Sequence, residues 1–262
     1  MKKIKISLIL TLSINLLSYS QISEHEVTEY AINNIKEFVE FLSYPNDANY
    51  KEDIEELIDW TSKRFNRLGF KSKRLETESI PLLLAESVYN KNYNTILIYL
   101  HLDDQPVDKS KWFQDDPFTP VLKRPNSSGE YRIIDWENLN NKTIKKLDDE
   151  DIRIFARSSS DAKGPVMMLI NAIEIMSLNN LEPKFNIKLI MDFEEEKSSP
   201  SLPSAVVKYA DELQSSGLLI FDGPQHSSGL PTLNFGNRGI SKITLTTYGP
   251  IVPPTQWSLR KL

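Results

Sequence analysis

Residues 94–100, Asn-Thr-Ile-Leu-Ile-Tyr-Leu, are apolar almost without alternation. A strand with one wet face alternates, and a strand covered on both faces does not, so this run predicts a central strand buried on two sides. Residues 185–192 and 217–221 predict further strands, and 70–85 predict extended structure leading into the first. Helical apolar spacing marks 26–42 (Ile32, Ile35, Val39, Leu42) and 51–68 (Ile54, Leu57, Trp60, Phe65), separated by the Pro45-Asn46-Asp47 turn. It recurs at 166–176, where Pro165 fits the first turn, and at 201–213. Residues 232–248 predict a strand pair turning near 236–239. Strands alternating with helices define an α/β fold, a sheet with helices on its faces. Residues 108–150 are polar, with Trp112, Pro117, Phe118, Pro120 and Trp136, and predict a long functional connection rather than a core element.

Charge and composition narrow the function classes. The chain has 262 residues with 31 basic against 36 acidic, a net −5, which offers no footprint for nucleic acid or an anionic membrane. It has no cysteine, so disulfides, thiolate metal sites and cysteine nucleophiles are excluded. Three histidines, His25, His101 and His226, make any metal site mostly carboxylate. Residues 1–20 place Lys2, Lys3 and Lys5 before an apolar stretch at 6–17 and small residues at Ser18 and Ser20. That order predicts a secretory signal cleaved after Ser20 and an exported, periplasmic or extracellular mature chain without a membrane anchor. Losing the three lysines takes the charge from −5 to −8.

His101, Asp103, Glu195, Glu196 and Asp222 all fall at or just beyond the C-terminal ends of predicted strands, where open α/β sheets build their sites. At spacing two, Asp103 can orient the His101 imidazole. One imidazole and several carboxylates form the ligand set of a divalent-metal hydrolase using zinc or manganese. Glu194, in the same acidic run, is expected to be a solvated acid. His226 is expected to be a polar loop residue and Trp112 to pack the long connection.

From Ile96 onward four segments follow in order: Leu100-His-Leu-Asp-Asp-Gln-Pro-Val-Asp108 with Trp112 and Asp116-Pro-Phe118, then Phe155-Ala-Arg-Ser-Ser-Ser-Asp-Ala-Lys-Gly164, Asp192-Phe-Glu-Glu-Glu-Lys-Ser-Ser-Pro200 and Leu219-Ile-Phe-Asp222. In these the chain resembles the di-zinc metallopeptidase family of aminoacylases, carboxypeptidases and dipeptidases that includes carnosinase and carboxypeptidase G. The resemblance implies a zinc-peptidase sheet with helices on both faces. It makes Asp161 the carboxylate bridging two divalent ions, zinc first with manganese or cobalt as alternatives. His101 and Asp222 then complete one site and Glu196 belongs to the other. Asp103 holds His101, and Glu195 is the general base that takes a proton from the attacking water and returns it to the leaving amine. The implied substrates are peptides or dipeptides cleaved at a peptide or N-acyl amide bond.

The chain departs from the family pattern at Leu100 and Ala156, where glycine is common, and at Lys197 and Ser198, where a small or apolar residue and glycine often follow the paired glutamates. The resemblance further implies a lid or dimerisation domain after Tyr248, opened by a His-Ser-Gly segment, and a C-terminal return carrying the second metal's histidine. These are expected to be missing here, and turnover by this chain is expected to be impaired as a result. Read one nucleotide later, codons for residues 254–262 permit Gln-His-Ser-Gly-His-Phe-Gly-Asn. Residues 21–250 are therefore expected to be the front of a catalytic domain, and 251–262 a frameshifted tail. The alternative expectation is a catalytically inactive exported protein that binds metal or peptide.

Overall fold

The computed structural model describes residues 22–139, 151–223, 228, 230, 232–236, 239, 241 and 243–248. The expected signal segment, His226 and the expected frameshifted tail lie outside the described residues. By its internal contacts the chain divides into two units, Met1–Gly223 and Pro224–Leu262.

In the first unit three helices open the chain: α1 (Glu24–Asn33), α2 (Ile35–Ser43) and α3 (Lys51–Arg67). Ser23 starts α1 with a capping box, its hydroxyl accepting from the Glu26 N–H while the Glu26 carboxylate accepts from the Ser23 N–H. The single helix expected over 26–42 is broken at Asn34, which ends α1 and precedes α2. The Asn34 side chain is committed elsewhere, donating to Asn171 Oδ1 at 2.7 Å. α3 buries Ile54, Leu57, Ile58, Trp60, Thr61, Arg64 and Phe65, the stripe that a 3.6-residue period requires.

The main sheet contains β1 (Lys71–Leu75), β2 (Leu82–Glu86), β3 (Thr95–His101), β7 (Asn186–Asp192) and β8 (Gly217–Ile220), in spatial order β1-β2-β7-β3-β8. β1 and β2 run antiparallel, as do β2 and β7, whereas β3 is parallel to both β7 and β8. Strand alternation sends Leu83, Ala85, Ile98, Leu100, Ile187, Leu189 and Met191 to one face, where they pack with α2, α3 and α4 (Lys163–Leu178). Leu82, Leu84 and Ile190 face the other way, against α5 (Leu202–Lys208) through Ala205. The sheet thus carries helices on both faces, as expected. α5 is shorter than the helix expected over 201–213 and is followed by turns.

Residues 108–150 differ from expectation. Part of that stretch forms β4 (Val121–Pro125) and β5 (Tyr131–Ile134), which join β6 (Arg153–Phe155) in a small antiparallel sheet ordered β5-β4-β6. Their sequences, Val-Leu-Lys-Arg-Pro and Tyr-Arg-Ile-Ile, alternate too weakly to reveal it, because only Leu122 and Lys123 are buried.

In the second unit, described residues within 232–248 form no strand, contrary to the expected pair. Leu233, Phe235, Ile243, Leu245 and Tyr248 are all exposed, and an apolar strand pattern without a surface to bury against does not sustain a ladder.

Candidate metal centre

The order β7-β3-β8 builds the site. All three strands point the same way, so their C-terminal ends share one edge of the sheet. The register sets His101 opposite Asp192 on β7 and Tyr99 opposite Ile220 on β8; continued for two residues, it sets Asp222 opposite His101. Asp161 arrives from above, on the loop between β6 and α4.

The His101 ring is 1% exposed. Its Nε2 lies 3.1 Å from Asp161 Oδ1 and 3.6 Å from Asp222 Oδ1, and donor atoms of all three residues lie within 4.8 Å of one another. Asp161 and Asp222 keep 66% and 38% of their side chains exposed, so the cluster opens to solvent on the carboxylate side and is walled by the sheet on the imidazole side. Burial alone would discourage a charged imidazole, but Asp103, Glu195 and Asp222 outweigh it and push the His101 pKa up to about 9. Two carboxylates against one imidazole nitrogen share either a proton or a cation with it. One nitrogen and two carboxylate oxygens are a donor set that zinc, manganese or cobalt accepts, and solvent access on the acidic side leaves positions for further ligands.

Asp103 is fully buried and faces His101 Nδ1 at 3.7 Å, beyond hydrogen-bond range. Its two oxygens instead accept the backbone N–H groups of Glu195 and Glu196, both at 3.0 Å. Those N–H groups open the single 3-10 turn Glu195–Lys197 and have no partner within it, so the carboxylate acts as a cap and fixes the acidic turn to the end of β3. Glu195 is half-buried at this rim. Burial raises its carboxyl pKa, with Asp222, Glu196 and Asp103 adding to the shift and His101 opposing it.

Glu196 does not join the His101–Asp161–Asp222 cluster. It accepts from Gln105 Nε2 at 3.0 Å and, with Asp161, lines a cavity of about 300 Å³. Gln105, Trp112, Arg157 and Ser159 are among the other residues lining that cavity, so Trp112 reaches the site and does more than pack the connection. Glu194 is corrected outright. It is 2% exposed, accepting from Ser79 Oγ at 2.7 Å and from the Ile80 N–H at 3.3 Å, and so ties the approach to β2 beneath the site.

Sequence reasoning missed a buried polar group beside the centre. Asp104, 6% exposed, accepts from Ser158 Oγ at 2.6 Å and pairs with Arg157 Nη2 at 2.6 Å. Asn46 Nδ2 donates to Ser158 Oγ and to the Leu102 carbonyl, both at 2.7 Å. The only signal in the chain was the pair of adjacent aspartates after His101, since a polar turn at 45–47 looks like any surface turn.

A sheet that gathers histidine and carboxylates at the C-terminal ends of parallel strands, with a further glutamate alongside, forms a candidate divalent-metal centre. No family model matches the chain. Over 84% of its length it is 24% identical to the Cys-Gly metallodipeptidase dug1 of Schizosaccharomyces pombe, covering 43% of that protein. Over 61% it is 29% identical to the mouse Beta-Ala-His dipeptidase, covering 27% of that protein. Among solved structures it superposes on an M20 family metallo-carboxypeptidase from Sulfolobus solfataricus with a TM-score of 0.56 and 27% identity, covering 79% of this chain and 39% of that one. The chain spans less than half the length of these relatives. The chain is thus similar over part of their length to metallodipeptidases and to an M20 family metallo-carboxypeptidase.

Proposed function

We propose that the protein takes part in metal-dependent hydrolysis of a peptide bond in dipeptides or at a peptide C-terminus. The observation that carries this reading is the convergence of His101, Asp161 and Asp222 at one sheet edge, with Glu195 at its rim and Glu196 across a small cavity. His101, Asp161 and Asp222 would hold one ion and Glu196, with Asp161, part of a second; zinc fits this donor set first, manganese or cobalt after it. Divalent ions there supply Lewis acidity, polarising the scissile carbonyl and acidifying water.

The rest of the work falls to the chain. Glu195 accepts a proton on its carboxylate as water adds to the scissile carbonyl carbon, and then delivers it to the amine nitrogen as the C–N bond breaks, leaving a carboxylate and a free amine. Asp103 aims Glu195, because the N–H groups of Glu195 and Glu196 are both held on that buried carboxylate. The cavity lined by Gln105, Trp112 and Arg157 receives the substrate beside Asp161. The order of charge and apolarity over residues 2–17 supports export of the mature protein.

The test is hydrolysis by the full chain, loaded with zinc, manganese or cobalt, of a dipeptide panel that includes β-alanyl-histidine and cysteinylglycine. Metal-dependent release of amino acids is expected, falling by roughly 10²-fold to 10⁴-fold in Glu195→Gln while metal binding persists. A folded, metal-loaded chain that cleaves none of the panel would refute the proposal.

A further inference from the structure

Asp161 poses a mechanical problem. Its side chain is two-thirds exposed and sits after three consecutive serines, so apolar packing does not fix where it points. A bound ion nevertheless needs its oxygen at a set distance from His101 Nε2. The position must come from the backbone of residues 156–161, and that backbone is anchored at few points. The Arg157 N–H donates to the Pro117 carbonyl at 2.8 Å, and the Lys163 N–H reaches back to the Ser158 carbonyl at 3.1 Å. Most of the remaining anchors centre on one side chain.

That side chain is Asp104. Its Oδ2 accepts from Ser158 Oγ at 2.6 Å, and its Oδ1 takes Arg157 Nη2 at 2.6 Å and the Gln105 N–H at 2.7 Å. Arg157 Nη2 also donates to the Gln105 carbonyl at 2.6 Å, so its guanidinium spans the junction. On the other side Asp104 is locked to the strand that ends in His101. Its N–H donates to the Asn46 carbonyl at 2.9 Å, and Asn46 Nδ2 bonds both the Leu102 carbonyl and Ser158 Oγ. Ser158 sits at φ +63°, a left-handed conformation that a serine holds when its surroundings impose it. The residue three after the histidine thus grips the residue three before Asp161.

We infer that Asp104, through Arg157 and Ser158, is the positioning residue that sets the separation of His101 and Asp161 in the metal centre. The inference rests on the metal reading of His101, Asp161 and Asp222 given above. Asp104 does not touch the ion; it holds the loop that does. Charge-assisted bonds in a buried setting are stiff, and partners of this kind around a metal centre typically govern affinity by 10-fold to 100-fold.

The experiment titrates the full, metal-free chain with Co²⁺, following visible absorption, for the wild type, Asp104→Asn, Ser158→Ala and His101→Ala. Urea midpoints of the metal-free proteins are measured alongside. Asp104→Asn keeps the shape and loses the charge; it is expected to weaken Co²⁺ binding about 10-fold to 100-fold and to alter the intensity of the ligand-field bands. Ser158→Ala removes one bond and shifts both readouts the same way by less, and it decides the question if Asp104→Asn does not fold. A role confined to stability would move the urea midpoint and leave the bound spectrum as in the wild type, and that result overturns the inference. So does wild-type affinity in both variants. If the wild type binds no Co²⁺, or His101→Ala binds it equally, the metal reading falls and the inference falls with it. Wild-type binding that His101→Ala destroys and Asp104→Asn leaves intact would sink the inference alone.

Discussion

Lys163 offers a sharp test of how the site is supported. It is fully buried at the start of α4, two residues after Asp161, with its Nζ donating to the carbonyls of Phe41 at 3.0 Å and of Tyr44, and lying 5.3 Å from the centre of the Phe41 ring. Those carbonyls belong to the last turn of α2 and the residue after it, where helical carbonyls have no partner within the helix. Burial lowers the Lys163 pKa to about 7, with Asp104 opposing the shift. The ordinary value is 10.5, so the folded chain binds fewer protons than the unfolded chain between pH 7 and 10.5. Stability therefore rises with pH across that window, is complete above the unfolded value, and is lost as pH falls through 7. At about 1.4 kcal/mol per pKa unit, a shift of that size amounts to roughly 4–5 kcal/mol between pH 6 and 10.5. Lys163→Met fills the same space without a titrating group. Urea unfolding of the metal-free wild type and Lys163→Met across pH 6–10.5 should show the wild type gaining stability relative to the variant by an amount of that order. A stability difference independent of pH would refute the reasoning.

Other perturbations follow from particular contacts. A Cβ on Gly164 would lie 2.6 Å from the Ser159 carbonyl oxygen, so Gly164→Ala must displace the serine loop; weaker metal binding in calorimetric titration and a loss of about 1–3 kcal/mol in urea unfolding are expected. Ser198 closes the acidic turn at φ +71°, which a glycine adopts freely, so Ser198→Gly should stabilise the chain by up to about 1 kcal/mol in the same assay. Asp103→Ala strips the acceptor from two N–H groups and leaves Glu195 and Glu196 unaimed. It should destabilise by about 2–4 kcal/mol in urea unfolding and reduce dipeptide turnover as strongly as Glu195→Gln does.

Much of the fold was legible because burial on both faces leaves a mark in the chain. β3 is a continuous apolar run and β7 is one broken only by Lys188, and they proved to be the parallel centre of the sheet. The small sheet left no such mark, since β5 buries no residue fully and β4 buries a lysine whose Nζ rests 4.5 Å from the Phe155 ring centre. The break at Asn34 was equally silent, and the partner its side chain takes there, Asn171 on α4, lies 137 positions away. His101 and Asp222 could be placed from strand ends alone, as neighbouring parallel strands must finish together. Glu194 could not: three consecutive glutamates look alike in sequence and differ only in what lies opposite them.

That divergence within Glu194–Glu196 shows how the site is put together. Asp192 ends β7 and accepts the Glu194 N–H at 2.9 Å, while Asp103 accepts the next two N–H groups. Two buried carboxylates, Asp192 at the end of β7 and Asp103 two residues beyond β3, therefore bind three successive peptides and bend the chain into its turn. The bend drives Glu194 inward to Ser79 and Ile80 and keeps Glu195 and Glu196 at the rim beside Asp222 and Asp161. Asp104 does for the loop before Asp161 what Asp103 does for the acidic turn, so adjacent residues pointing to opposite sides of one chain anchor both arms of the centre to the end of β3. Asp103 is fully buried with both oxygens on backbone N–H groups and so is not presented to an ion, which is why counting acids in the sequence overstates the number free to take a metal.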